Sequence, residues 1–193
     1  MLIGFAFLLC LVTVPVAGGR LGALALVRMR AKWLLAAGLG LQVLIISIVP
    51  EGSQRVHAAV HLGSYALVAC FVAANLSVPY LWLIALGGAL NAIAISFNGG
   101  VMPADAGALA AAGIASDPHA FSNSIAVPDP QLSFLGDVLW LPASWPVNNV
   151  FSIGDCLILL GAFLALHTIA GSRLSVRRLA IPGRANSPRT SPV

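Results

Sequence analysis

Two histidines, His57 and His61, stand four residues apart near the start of an apolar run, so a helix there would put both on one face. Ser64 and Tyr65 continue that face. Asn91 and Asn98 lie seven apart on a second apolar run, with Gly87 and Gly88 just before them. Ser152 and Asp155 are spaced i, i+3 at the head of a third run, Asp137 follows Gly136 in the stretch between, and Gln42 sits alone in a fourth run. Polar groups inside long apolar runs are costly and often functional. Two carboxylates near a histidine could pass protons. Gly99 and Gly100 allow positive φ, and such turns expose backbone N–H groups that hold anions. No metal site is expected: a histidine pair needs a third ligand, and no H-E-x-x-H occurs. Cys10, Cys70 and Cys156 are odd in number and lack a C-x-x-C, so they read as small buried hydrophobes. No nucleophile motif is assembled, so neither a catalytic residue nor a cofactor is assigned.

The elements that carry these residues are membrane helices by composition. Of the 193 residues, 59 % are hydrophobic and only 8 % charged, and the mean hydropathy is +0.96. A soluble domain carries roughly 25 % charged residues, which this chain cannot supply. Disorder is excluded for most of the chain because disorder needs low hydrophobicity. The expectation is an all-α integral membrane protein with about five spans: Leu2–Ala17, Trp33–Val49, His57–Ala74, Tyr80–Phe97 and Val150–Ala170. The first span reads as retained rather than as a cleaved signal, because its positive charges follow it. Residues 1–170 form one transmembrane domain, and the basic, Ser/Pro-rich 171–193 reads as a disordered tail.

Charge sets the orientation. Arg20, Arg28, Arg30 and Lys32 follow the first span, and Arg173, Arg177, Arg178, Arg184 and Arg189 follow the last. These are nine of the ten basic residues, and no acid lies among them. The positive-inside rule then predicts an external N-terminus and a cytoplasmic C-terminus. Trp33, Tyr80 and Trp82 would mark the inner interface, and Trp140 and Trp145 the outer one. The net charge of +4 is thereby explained by topology, and no nucleic acid partner is expected. The long segment 98–149 becomes an external loop. Within it, Ala104–Ala115 reads as a short helix with Asp105 near its start, and Ser116–Gln131, with Pro118, Pro128 and Pro130, reads as irregular. Leu132–Trp145 is too short and Pro-broken to span, and is expected to lie in the interface or dip into the protein.

By depth, His61, Asn98, Gly99, Gly100, Asp137, Ser152 and Asp155 all fall at the outer side. They are expected to form one outward-opening polar pocket roofed by the loop, with Asp155 within one water of His61 or Asn98. Each also has a plainer structural reading. Histidines near helix ends are often interfacial, asparagines bond neighbouring helices, and an acid near a helix start caps it.

Three motifs in order, Asn98-Gly99-Gly100-Val101-Met102-Pro103, Leu135-Gly136-Asp137 and Val150-Phe151-Ser152-Ile153-Gly154-Asp155, resemble a family of small bacterial multi-pass membrane proteins catalogued as domain of unknown function 5317. The likeness runs from the start to about Ala170 and includes Gly18-Gly19-Arg20-Leu21. It implies a bacterial cytoplasmic-membrane protein and no particular reaction. His61-Leu62-Gly63-Ser64-Tyr65 also resembles the His-x-x-x-Tyr of VanZ-like membrane proteins, although the usual preceding acid is replaced here by Gln54-Arg55.

Three functions fit. An envelope accessory or binding protein would use the outer pocket for a lipid headgroup, a small ligand or a protein partner. A membrane enzyme would act on a lipid-linked substrate with Asp137, Asp155 and His61 as acid–base groups. A small transporter or channel subunit would line a path with Asn91 and Gln42 between the subunits of a homo-oligomer; the odd span count and lack of an internal repeat speak against a self-contained transporter. The first is preferred, with the lipid bilayer as the one partner the composition demands.

Overall fold

A computed structural model describes residues 2–115 and 124–176. The irregular course expected for 116–123, and most of the basic tail, lie outside the described residues. Five apolar helices carry the chain: α1 (Leu2–Val16), α2 (Lys32–Val43), α3 (Gln54–Ala74), α4 (Leu81–Phe97) and, after a short helix α5 (Ala106–Ala112), α6 (Ile153–Ile169). A 3-10 turn, Leu21–Leu26, separates α1 from α2, and α2 runs on through one π-helical turn, Leu44–Ile48. Of these helices α3, at 21 residues, is long and apolar enough to cross a membrane by itself; the others are equally apolar but shorter.

Small residues set the helix packing. The most extensive pairing is α4 against α6, followed by α2 against α3, with α1 on α6 and α3 on α4 completing the row α1–α6–α4–α3–α2. At the α4–α6 seam, Gly87 lies against the Gly154 carbonyl and Ile158, and Gly161 lies against Ile84, where an added Cβ would stand 2.7 Å from the Ile84 side chain. Glycine is required there because two helix backbones approach too closely for any side chain. Gly38 does the same for α2, beneath the Ser64 carbonyl of α3.

The contacts give each helix a direction. Thr13 and His167, both near helix C-termini, touch, so α1 and α6 run parallel. Asn91 meets Ser152 and Asp155, so α4 and α6 run antiparallel. Gln42 meets Ser64 while Arg30 meets Asn75, so α2 and α3 are antiparallel too. One end of the molecule therefore gathers Arg20, Arg28, Arg30, Lys32 and Arg173; the other holds the starts of α3 and α6, the end of α4 and the segments 98–115 and 124–151. These are the basic end and the loop end.

The loop end departs from an all-α fold. Met102–Pro103 (β1) pairs in parallel with Ser124–Ile125 (β2), and Leu139–Leu141 (β3) pairs antiparallel with Asn149–Phe151 (β4). The run Val150–Phe151, expected to open the last span, is strand; α6 begins only at Ile153. Leu132–Trp145 supplies a 3-10 turn, Ser133–Leu135, and the strand β3. Helix α5 forms where the alanines run, its first turn capped by Asp105, whose carboxylate accepts from the Ala108 N–H at 2.8 Å. A small core of Ala104, Ala108, Leu109, Ala112 and Val150 joins α5 to β4.

Candidate functional site

Four polar assemblies hold the loop end. The first is the start of α6. Ser152 and Asp155 form a capping box: the Ser152 hydroxyl accepts from the Asp155 N–H, and Asp155 Oδ2 accepts from the Ser152 N–H, both at 3.0 Å. Asn91 of α4 closes the ring, donating to Asp155 Oδ1 at 2.8 Å and accepting from the Ser152 hydroxyl at 2.8 Å. All three side chains are buried. Gly154 leaves the space into which the Asn91 amide fits.

The second and third assemblies pin the exit of α4. Gly99 and Gly100 take φ of +69° and +89°, so the turn requires glycine at both. His61 Nδ1 lies 2.8 Å from the Gly100 carbonyl, which ties α3 to this turn, and Gly100 packs so tightly on Ala58 that a Cβ has no room. Asn98 accepts from the Gln131 N–H at 2.9 Å and donates to the Gln131 carbonyl at 2.8 Å, clamping the far side of the loop. His57 lies 2.7 Å from the Val49 carbonyl and 3.0 Å from that of Ser53, bracing the turn between α2 and α3.

Asp137 is the fourth. Its backbone bonds to Pro103 and Asp105, at 2.9 and 3.1 Å, and so extends the β1 region. The Gly136 backbone before it is extended, and glycine is needed there because a Cβ would strike the Pro103 carbonyl. The Asp137 side chain is turned inward, only 2 % exposed. The Ser124 hydroxyl donates to Oδ2, and no donor reaches Oδ1 among the described residues. Burial, opposed by the Ser124 bond and aided by the nearby Asp155 charge, pushes this carboxyl up to about 6. Asp137 and Asp155 together line a cavity of about 260 Å³, with Ser124 and Asn149 beside them and Ile3, Ile46, Leu109 and Ile114 as apolar walls.

The seven residues singled out by depth thus lie in one region but not in one pocket. Asp137 and Asp155 line the cavity, whereas His61, Asn98, Gly99, Gly100 and Ser152 are engaged in the clamps and the cap around it. The direct partners of Asp155 are Asn91 and Ser152 rather than His61 or Asn98. Ser124 went unnoticed in sequence because it lies in an irregular stretch with no period to mark it. At the basic end two further assemblies were missed. The Asn75 side chain, at the end of α3, accepts from the Arg30 N–H at 2.8 Å and donates to the Arg30 carbonyl at 2.9 Å. His167 joins Thr13, at 3.1 Å, to Ser172, at 2.6 Å. An asparagine closing one apolar run and a histidine inside another were the available signals.

Together these features define a small helical bundle whose polar side chains face inward and whose loop end encloses an acidic cavity. The model of a family of unknown function (DUF5317) matches residues 26–167, and the chain belongs to that family. The matched span takes in all four loop-end assemblies and leaves α1 outside. No curated protein and no solved structure matches the chain.

Proposed function

We propose that this is a multi-pass protein of the bacterial cytoplasmic membrane, and that its loop end is an outward-facing pocket for a lipid headgroup, a small ligand or an envelope protein. The membrane reading is supported by where large apolar side chains stand. Leu8 of α1 is 60 % exposed, Trp33 of α2 67 % and Phe97 of α4 64 %, and Leu39, Ile93 and Leu160 are exposed as well. Each such side chain left in water forgoes about 1.5–3 kcal/mol, and lipid removes that cost. The polar residues Ser64, Asn91, Asp155 and His167 are meanwhile buried among the helices. The 17-residue helices α4 and α6 reach about 25 Å, the short end of what spans a bilayer. Exposed Trp33 and Trp82 near one end and Trp140 and Trp145 near the other fit two interfaces. With five spans, the basic end and the tail 171–193 are cytoplasmic, and residues 1–170 form the membrane domain. Fusions of a periplasm-active reporter at residue 113 and of a cytoplasm-active reporter at the C-terminus test this; activity in the opposite pattern overturns it.

The observation that carries the binding reading is the buried Asp137 carboxylate, half without a donor, beside the cavity. Native mass spectrometry of the detergent-purified protein should find a retained small molecule or lipid in the wild type that Asp137→Asn releases. Identical bare protein in both forms would sink the reading. An enzyme acting on a lipid-linked substrate is the second reading, favoured by an Asp137 pKa of about 6, which suits proton transfer near neutrality. It requires turnover that Asp137→Asn abolishes while the fold survives. The transport reading draws no such support, since Gln42 is bonded to Ser64 and Asn91 to Asp155 and Ser152.

A further inference from the structure

The two carboxylates of the loop-end cavity are not equivalent. Asp155 already accepts a donor on each oxygen, from Asn91 and from the Ser152 N–H. Asp137 accepts one, from Ser124 on Oδ2, while Oδ1 is buried and has no donor among the described residues. A buried charged acceptor left unpaired bears its full desolvation cost, so such groups are almost always matched by a donor. The cavity that Asp137 lines is where a donor from outside the chain can enter. No cationic side chain lines that cavity among the described residues, although two acids do. A positive occupant that carries N–H or O–H donors completes the site best, because it both fills the acceptor and offsets the two acids.

The chemistry narrows further. A hard divalent cation wants six or more oxygen ligands, or an octahedral shell of them, and no group of three ligating side chains exists among the described residues. An ammonium group asks only for acceptors, and its three N–H donors match one free oxygen of Asp137 plus the spare lone pairs of Asp155. A quaternary ammonium has no N–H for Oδ1, and among the described residues the walls offer Ile3, Ile46 and Ile114 rather than the aromatic faces that hold such groups. Those aliphatic walls suit the short carbon chain next to an amine.

We propose that the loop-end cavity binds a primary ammonium group, with Asp137 Oδ1 as its main acceptor and Asp155 as the second negative charge. This rests on the reading of the loop end as a pocket and names its ligand class. The amine can come from a free small molecule or from an ethanolamine lipid headgroup whose phosphate stays outside the acidic cavity.

The test uses the full chain, purified in neutral detergent, with ethanolamine, choline and glycerol phosphate as probes in calorimetric titration. Ethanolamine should bind saturably, and choline about tenfold more weakly or worse. Asp137→Asn should weaken ethanolamine by at least about tenfold, the worth of one hydrogen bond to a charged group. Gly4→Leu is the second variant. Gly4 also lines the cavity, and a Cβ there meets nothing within 4 Å, so the added side chain enters open space and leaves Asp137 intact. It should keep the wild-type melting temperature and lose ethanolamine affinity, which preserves the test if Asp137→Asn does not fold. In nanodiscs, native mass spectrometry that finds phosphatidylethanolamine retained over phosphatidylcholine supports the proposal with a lipid source. Binding of free ethanolamine without that retention supports it with a soluble amine. Equal affinity for ethanolamine and choline, or ethanolamine affinity unchanged in Gly4→Leu, overturns it. Saturable binding of glycerol phosphate in place of ethanolamine overturns the ammonium assignment and leaves a pocket standing. Binding of no probe, with identical bare protein in every form, overturns both.

Discussion

Helix α6 is anchored at both ends by buried polar side chains, and the two anchors are built to different ends. At the basic end, Thr13, His167 and Ser172 form a neutral clasp. The Thr13 hydroxyl donates to the Cys10 carbonyl at 2.7 Å, so it accepts from His167 Nε2; Nδ1 then accepts from the Ser172 hydroxyl, which in turn accepts from the Leu174 N–H. That assignment of protons satisfies every polar atom of the three side chains without any charge. His167 and Ser172 are 0 % exposed. At the loop end, the Asn91–Ser152–Asp155 ring is equally well bonded but carries a charge, and it stands beside a cavity with a second, incompletely bonded carboxylate. A sealed neutral clasp holds helices together and does no more. An anchor that keeps a charge next to an unfilled acceptor retains the capacity to bind. The contrast between the two ends, more than any one residue, is what the binding proposal rests on.

The largest expected effect comes from breaking the charged ring. Asn91→Leu removes the donor to Asp155 and the acceptor for Ser152 at once, which should destabilise the protein by about 4 kcal/mol in denaturant titration in detergent, since a buried charged group left unpaired costs most. A loss below about 1 kcal/mol would mean that the ring is no anchor. The next effect is a pH dependence. An acid whose pKa is raised by folding holds its proton more tightly when folded, so its contribution is full below the unfolded value. Asp137 rises from 3.8 to about 6, and the stability of the wild type relative to Asp137→Asn should fall by about 3 kcal/mol as pH climbs from about 4 to above 6. A wild-type-minus-variant difference that stays flat over that window would show that Asp137 is not held as the geometry implies.

Breaking the neutral clasp should do less. His167→Leu strands two hydroxyls and is expected to cost about 2 kcal/mol of thermal stability while leaving ethanolamine affinity unchanged. Loss of that affinity would erase the distinction between the ends. The smallest effect belongs to Gly4→Leu, with stability within about 0.5 kcal/mol of wild type. A large drop in its melting temperature would mean that the cavity is not open where it meets α1.

Local devices at the loop end were legible in the sequence because each depends on neighbours a few residues away. Ser152-x-x-Asp155 has the spacing of a cap, Asp105 before an alanine run announces α5, and Gly99-Gly100 announces a turn with positive φ. The α3 and α4 limits expected from apolarity fall within a few residues of those observed. The β pairings were not legible, because Met102 meets Ser124 and Leu139 meets Phe151 through registers that no local period encodes. Nor was the division of labour among the seven outer residues. His61 meets Gly100 and Asn98 meets Gln131 across separations of 39 and 33 residues, and sequence spacing on one helix is silent about its neighbours.

Composition and periodicity by themselves determined that the chain is helical and apolar, where the helices run, and which end gathers the basic charge, because these follow from local backbone preference and from the cost of exposing or burying each residue type. Only the tertiary structure decided that Asp155 is a satisfied cap and Asp137 an unsatisfied acceptor. The two look alike in sequence, each an acid directly after a glycine. Their difference arises from which donors the described residues bring within 3 Å of each oxygen: Asn91 from another helix, with the Ser152 N–H, for one, and Ser124 for the other.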